Sequence, residues 1–193
     1  MARRTFVFDP PDRFVAGTIG EPGGRTFFLQ AREGRRIVSV VLEKVQVAAL
    51  ADRLGILLFE LSQRGVVEPA SGPAAQDAAP LDEPLEEAFR AGTLTLGWDG
   101  ASDRILIEAH EIEDGDADAI DLEAIDDEPE GGANDDLDGP AIFRVRLTMA
   151  DARSFAERAV RVVHAGRPAC PLCGNPLDPQ GHICPRRNGQ YVN

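Results

Sequence analysis

Over the first forty residues, apolar and polar positions change in short blocks. The segments RTFVFD, RFVAGTIG, RTFFLQAREG and RRIVSVVLE are rich in Phe, Val, Ile and Thr, and PPD, GEPGG and EGR separate them. Blocks of this composition bounded by turn residues predict four strands, and connections this short predict an antiparallel meander. The hairpin across REGR is the clearest. From Glu43 the period changes. EKVQVAALADRLGILLFELSQRG places Val47, Leu50, Leu54, Leu57, Leu58 and Leu61 three and four residues apart, which predicts a helix with one broad apolar face ending near Gly65. Gly55 inside it costs about 1 kcal/mol relative to Ala unless something packs closely there.

The remainder repeats this progression. Glu68 to Pro80, EPASGPAAQDAAP, reads as a Pro/Ala/Gly linker, and LDEPLEEAFRAG predicts a short helix with Pro84 in its first turn. TLTLGWDG and DRILIEAHEI predict a second hairpin across WDGASD; AIFRVRLT predicts a strand running directly into the helix MADARSFAERAVRVVHAG. VLEKVQVAALADR and RLTMADARSFAER match at Leu42 with Leu147, Leu50 with Phe155, Ala51 with Ala156 and Arg53 with Arg158. A duplication would make two meander-plus-helix units about a pseudo-twofold axis; chance similarity of two short stretches is the other reading. The expected fold class is α+β. It comprises a four-stranded meander and helix (1–66), a linker and short helix (67–91), a second sheet and helix (92–167) and a C-terminal tail (168–193).

Charge alters this picture in one place. The formal net charge is −13, yet Glu108 to Asp138 holds fifteen Asp and Glu and no Lys or Arg. The rest carries twenty basic and eighteen acidic residues and is close to neutral. A segment of like charges with few apolar neighbours predicts a disordered insert over 113–139. Asp114, Asp116 and Asp118 alternate like the first ligands of a calcium loop, but the sixth position is Ala119 where Gly is needed, and the twelfth is Ile125 where Glu is needed. No apolar run approaches the roughly 20 residues that span a bilayer, and no apolar stretch of a secretory signal follows MARR. Three cysteines clustered between Cys170 and Cys184 suit a reducing compartment, so a cytoplasmic location is expected.

Those cysteines carry the strongest chemical signal. Cys170 and Cys173 form C-x-x-C, and His182 and Cys184 follow as H-x-C. Three thiolates and one imidazole complete the tetrahedral shell of a structural Zn2+, and the expected element is a small zinc ribbon or knuckle. Gly174 and Gly181 permit the turns such a ribbon needs. A redox C-x-x-C calls for a helix N-terminus, a catalytic zinc for a vacant coordination position, and a metal-free thiol tail is the third alternative. Elsewhere no nucleotide-binding, hydrolase or metalloprotease motif occurs. His110 and His164 read as packed or capping residues, the group Asp9, Asp12 and Arg13 as turn chemistry, and Trp98 as a core anchor.

Together FDPPDRFVAGTIGEPGGRTFFLQA at the start, LTLGWD in the middle and CPLCGNPLDPQGHICPRRNG at the end resemble a domain-of-unknown-function family of high-GC Gram-positive bacteria. The resemblance covers nearly the whole chain apart from the acidic segment, and it implies no activity and no catalytic residue. It does imply a genomic neighbourhood with histidine-phosphatase-like and kinase-like proteins. Three function classes follow. A non-enzymatic zinc-binding interaction or regulatory protein, with PRRNG as a basic surface for a protein partner, explains the lack of catalytic groups and is the reading adopted. Single-strand nucleic-acid binding is the alternative; it needs exposed aromatics beside basic residues, for which Arg25, Phe27, Arg144 and Arg146 are candidates. An enzyme acting on a phosphorylated or nucleotide substrate is the third, and it needs a pocket where Arg and carboxylate side chains converge.

Overall fold

Side chains two residues apart in a strand share a face, so Phe14 and Ala16, then Phe27, Leu29 and Ala31, then Val38, Val40 and Leu42 line one side of three consecutive strands. All are buried. A computed structural model describes residues 3–66, 77–112, 122–125, 139–166 and 170–172. The strands are β1 (Thr5–Phe8), β2 (Arg13–Ile19), β3 (Thr26–Glu33), β4 (Arg36–Leu42), β5 (Glu87–Asp99), β6 (Arg104–Glu111), β7 (Leu122–Ile125) and β8 (Ile142–Leu147). Among the described residues two helices, α1 (Lys44–Gln63) and α2 (Met149–His164), accompany them. The class is α+β. One sheet runs in the order β1-β8-β6-β5-β4-β3-β2, with β7 paired to β5 beside that path.

The two helices pack on each other and on the apolar face, forming one core with residues of all the main strands. Phe14 stacks on Phe155 of α2 at 4.5 Å between ring centroids. Each helix starts directly from a strand end. Glu43 N donates to Oε1 of Gln46 at 2.8 Å to open α1, and Oγ1 of Thr148 accepts from Asp151 N at 3.2 Å to open α2.

Adjacent in the chain, β1 and β2 lie at opposite ends of the strand order. Seven strands laid flat at about 4.8 Å spacing would hold those ends about 29 Å apart, whereas five peptide steps from Phe8 to Arg13 reach at most about 19 Å. The sheet must therefore curl until its ends approach. Cross-sheet contacts agree: Arg36 Nη1 of β4 donates to Val7 O of β1 at 3.0 Å, its guanidinium lies 4.5 Å from the Phe8 ring centroid, and Phe14 of β2 lies 6.3 Å from Phe143 of β8.

Several expectations need correction. β1 does not join the N-terminal meander; it pairs in parallel with β8, Thr5 opposite Ile142 to Phe8 opposite Val145. That register buries Phe8 against Phe143 and under Arg36, a packing gain no local turn could match. The short helix within 67–91 is absent among the described residues. Glu87 to Arg90 instead begin β5, which pairs in parallel with β4 and buries Phe89. The open edge of β4 requires ladder partners, and this outweighs the helical preference of Leu-Glu-Glu-Ala. Within the acidic insert Leu122–Ile125 form β7, parallel to Leu94–Gly97; the rest of 113–138 lies outside the described residues.

The matched junctions coincide in structure. Leu42 and Leu147 end strands, Glu43 and Thr148 cap helices, and Leu50 with Phe155 and Ala51 with Ala156 are buried. Arg158 is buried as well, whereas Arg53 is exposed. The strand order is tandem, β2-β3-β4 followed in the same direction by β5-β6-β8.

Candidate functional site

Arg13 on β2 and Arg158 on α2 converge from different elements on one short segment, residues 77–82. Arg13 donates through Nε to Asp77 Oδ2 at 2.6 Å, through Nη1 to Asp82 Oδ2 at 2.9 Å, and through Nη2 to Asp77 Oδ1, Ala79 O and Pro80 O at 3.0, 3.1 and 2.9 Å. Arg158 donates to Ala16 O, to both Asp77 O and Asp77 Oδ1, and to Ala79 O, all within 2.7–2.8 Å. Gln30 completes the attachment: its amide accepts from Asp82 N at 2.7 Å and donates to Asp82 O and Ser39 Oγ at 3.0 Å. Leu81 covers Gly17, where an added Cβ would lie 2.6 Å from Leu81 Cδ2. A stretch that reads as linker is thus a strap bound over the β2 edge.

The electrostatics follow from these bonds. The hydrogen bond from Arg13, stronger in effect than partial burial, holds the Asp77 carboxyl below its ordinary value of 3.8. Asp77 in turn raises Arg13, while desolvation lowers Arg158 despite the same carboxylate. A cleft of about 600 Å³ opens beside the strap, lined by Asp12, Arg13, Asp77, Asp151 and Arg158. Arginines and carboxylates do converge here, as an enzyme acting on a phosphorylated substrate would require. The guanidinium donors, however, are already committed to the strap, so the cluster is an anchor.

On the opposite face of the sheet, buried Glu108 pairs with Arg144 and lies 3.4 Å from Nε2 of His110. Burial pushes its carboxyl upward, but His110 and Arg144 outweigh this and leave it below 4.5. Arg146 pairs with Asp9 at 3.0 Å. Phe27 faces the helical core at 6 % exposure and its neighbour Phe28 is 7 % exposed. Neither offers a ring for a base, and both basic candidates on β8 are occupied by carboxylates.

Of the expected zinc ligands, Cys170 lies just beyond α2 and is buried, at 6 % exposure. Cys173, His182 and Cys184 lie outside the described residues, as do Gly174, Gly181 and PRRNG. Among the described residues no group of three or more His, Cys, Asp or Glu is placed to hold a metal. The donor set itself, with one thiol already withdrawn from water, fits Zn2+. His164 is the last residue of α2, Arg25 bonds to the carbonyl that follows it, and Trp98 packs at the core margin. Between the helices runs an apolar groove of about 730 Å³, with Ile56, Phe59 and Val160 exposed at 52, 64 and 41 % around Gly55.

Sequence reasoning missed Asp77, Asp82, Arg158 and Gln30. One signal was present: Asp77 is the lone charge in AAQDAAP, and Arg158 borders the apolar stripe Ala152, Phe155, Ala156 and Ala159.

A curled antiparallel-rich sheet covered on one face by two helices, with a strapped edge, defines an α+β protein whose described residues include no helix long and apolar enough to cross a membrane. The chain belongs to the family described as Protein of unknown function (DUF3090), whose family model matches residues 6–184. No curated protein and no solved structure matches the chain.

Proposed function

We propose that this protein is a non-enzymatic, zinc-binding interaction or regulatory protein of the cytoplasm. The observation that carries the reading is the closed ligand set Cys170, Cys173, His182 and Cys184, whose first member is already buried at the end of α2. Four protein ligands leave no coordination position for water or substrate, so the metal stabilises the tail and does no chemistry. The commitment of most Arg13 and Arg158 donors to the strap supports the same view, since it makes the cluster a structural anchor. Ile56, Phe59 and Val160 give such a protein an exposed apolar face suited to a protein partner.

Metal analysis of the purified full chain tests the reading. About one zinc per chain is expected, with Cys173→Ser and His182→Ala both losing it, because structural sites bind through all their ligands together. Protein free of zinc when purified without chelators, and unable to take up added Zn2+, refutes it.

A further inference from the structure

The chain has nineteen arginines and one lysine. That lysine, Lys44, lines a cavity of about 470 Å³ together with Arg25 from the β2–β3 turn and His164 from the end of α2. Three elements distant in sequence therefore deliver three basic side chains to one opening, and among the described residues no acidic residue lines it. The convergence is close. Arg25 Nη1 donates to Ala165 O at 2.6 Å, and a Cβ added at the neighbouring Gly166 would lie 3.9 Å from Lys44 Nζ.

Part of this arrangement has an internal cause, because a cation at a helix C-terminus offsets the partial negative charge of the last carbonyls. Arg25 meets that need by its bond to Ala165. Lys44 and His164 lie at the same helix end without a direct bond: among the described residues their side chains make no hydrogen bond or ion pair. Lys44 is also on the wrong side of the helix rule. It is the first residue of α1, where a negative side chain is stabilising, and the first turn contains no acidic residue. The carboxylate at the cap, Glu43, is turned to Arg90 at 2.5 Å. Positions that break such a local rule are expected to be functional or strained. The remaining walls are Pro22, Gly23, Phe27 and Val163, an apolar surface interrupted by a glycine whose backbone can approach a ligand closely.

We propose that this cavity binds the phosphate group of a small phosphorylated molecule. Arg25 and Lys44 supply fixed positive charge, His164 supplies a ring N–H, and Pro22 with Val163 contacts the apolar part of the molecule. A phosphomonoester dianion matches the charge, and the volume is that of a small-molecule site. The inference goes beyond the zinc reading and rests on none of its residues.

The single lysine makes the test direct. In the full chain as purified, an amine-acetylating reagent has two amine targets, Lys44 and the α-amino group, and mass spectrometry follows each. Phenyl phosphate should slow acetylation of Lys44 at least about 5-fold and leave the α-amino group unchanged, while chloride at matched ionic strength protects neither. Inorganic phosphate should need a higher concentration than phenyl phosphate, since it lacks the apolar part. His164→Gln, which removes no hydrogen bond or ion pair among the described residues, should raise the half-protecting concentration about 10-fold with unchanged circular dichroism. Equal protection of both amines, protection by chloride, or no protection at all overturns the proposal. An unshifted His164→Gln or equal potency of the two phosphates overturns the assignment of the cavity's walls.

Discussion

Removing the Asp77 carboxylate should release the strap. In the native state that group accepts three bonds from two guanidiniums, at 2.6, 3.0 and 2.8 Å, and a fourth from Ala79 N at 2.9 Å. The Arg13 and Arg158 side chains are only 11 and 8 % exposed, so Asp77→Ala leaves two nearly buried cations without their shared counter-charge. Breaking a buried pair from one side costs about 3–5 kcal/mol. Two features reduce this. Asp77 is itself 33 % exposed, so water partly replaces it, and both arginines keep backbone carbonyls while Arg13 keeps Asp82. The expected loss is about 2–3 kcal/mol, or a melting temperature lower by about 4–12 °C for a chain of this size. Urea and thermal unfolding followed by circular dichroism measure both. Because the folded-state Asp77 titrates below 3.8, its contribution is complete above that pH and disappears as the pH falls through the folded value. Wild type and Asp77→Ala should therefore differ most near neutrality and converge in acid. A neutral-pH difference under about 0.5 kcal/mol, the range of an ordinary surface substitution, would show that the strap is not held by this carboxylate.

Other positions test other joints. Gly17→Ala places a Cβ against Leu81 and should destabilise by about 1–3 kcal/mol unless the strap shifts, which paired Leu81→Ala should relieve. Gln46→Leu removes the amide that donates to Ala91 O and Gly92 O at 3.2 and 2.7 Å, leaving buried carbonyls unpaired where α1 meets β5; about 1–3 kcal/mol should be lost in urea unfolding. Glu108→Gln should cost about 1–2 kcal/mol at neutral pH. Since the Glu108 carboxyl is held below 4.5 by His110 and Arg144 against burial, that cost should fade as the pH drops below 4.5.

Local signals were readable in the sequence where local physics decides. REGR between two apolar runs specified the β3–β4 hairpin, WDGASD the β5–β6 hairpin, and the three-and-four spacing from Val47 to Leu61 specified α1. The constant offset between Leu42 and Leu147 even revealed that two strand ends pass into helices in the same manner. What could not be read depends on partners far along the chain. PPD between two strand-like blocks looks like any hairpin turn, and only Phe143 and Arg36 explain why Phe8 leaves its neighbour for β8. LEEAFRAG has helical composition, and only the unpaired β4 edge makes it a strand. Asp77 looked like part of a linker because the two arginines that select it lie on β2 and α2. The proposed zinc set Cys170, Cys173, His182 and Cys184 rests on residue type and spacing alone, whereas the basic cavity required knowing that the β2–β3 turn, α1 and α2 meet.

The pairing of β1 with β8 also sets a clock. Thr5 finds its register opposite Ile142, so the first strand leaves the ribosome long before its partner exists. At about 5–20 residues per second, synthesis of the intervening chain takes roughly 7–30 s, while β2, β3, β4 and α1 can assemble in far less than a second. Nascent chains should accordingly spend most of their synthesis as a partly built sheet with Phe8 waiting, and the final closure belongs to the moments after β8 emerges.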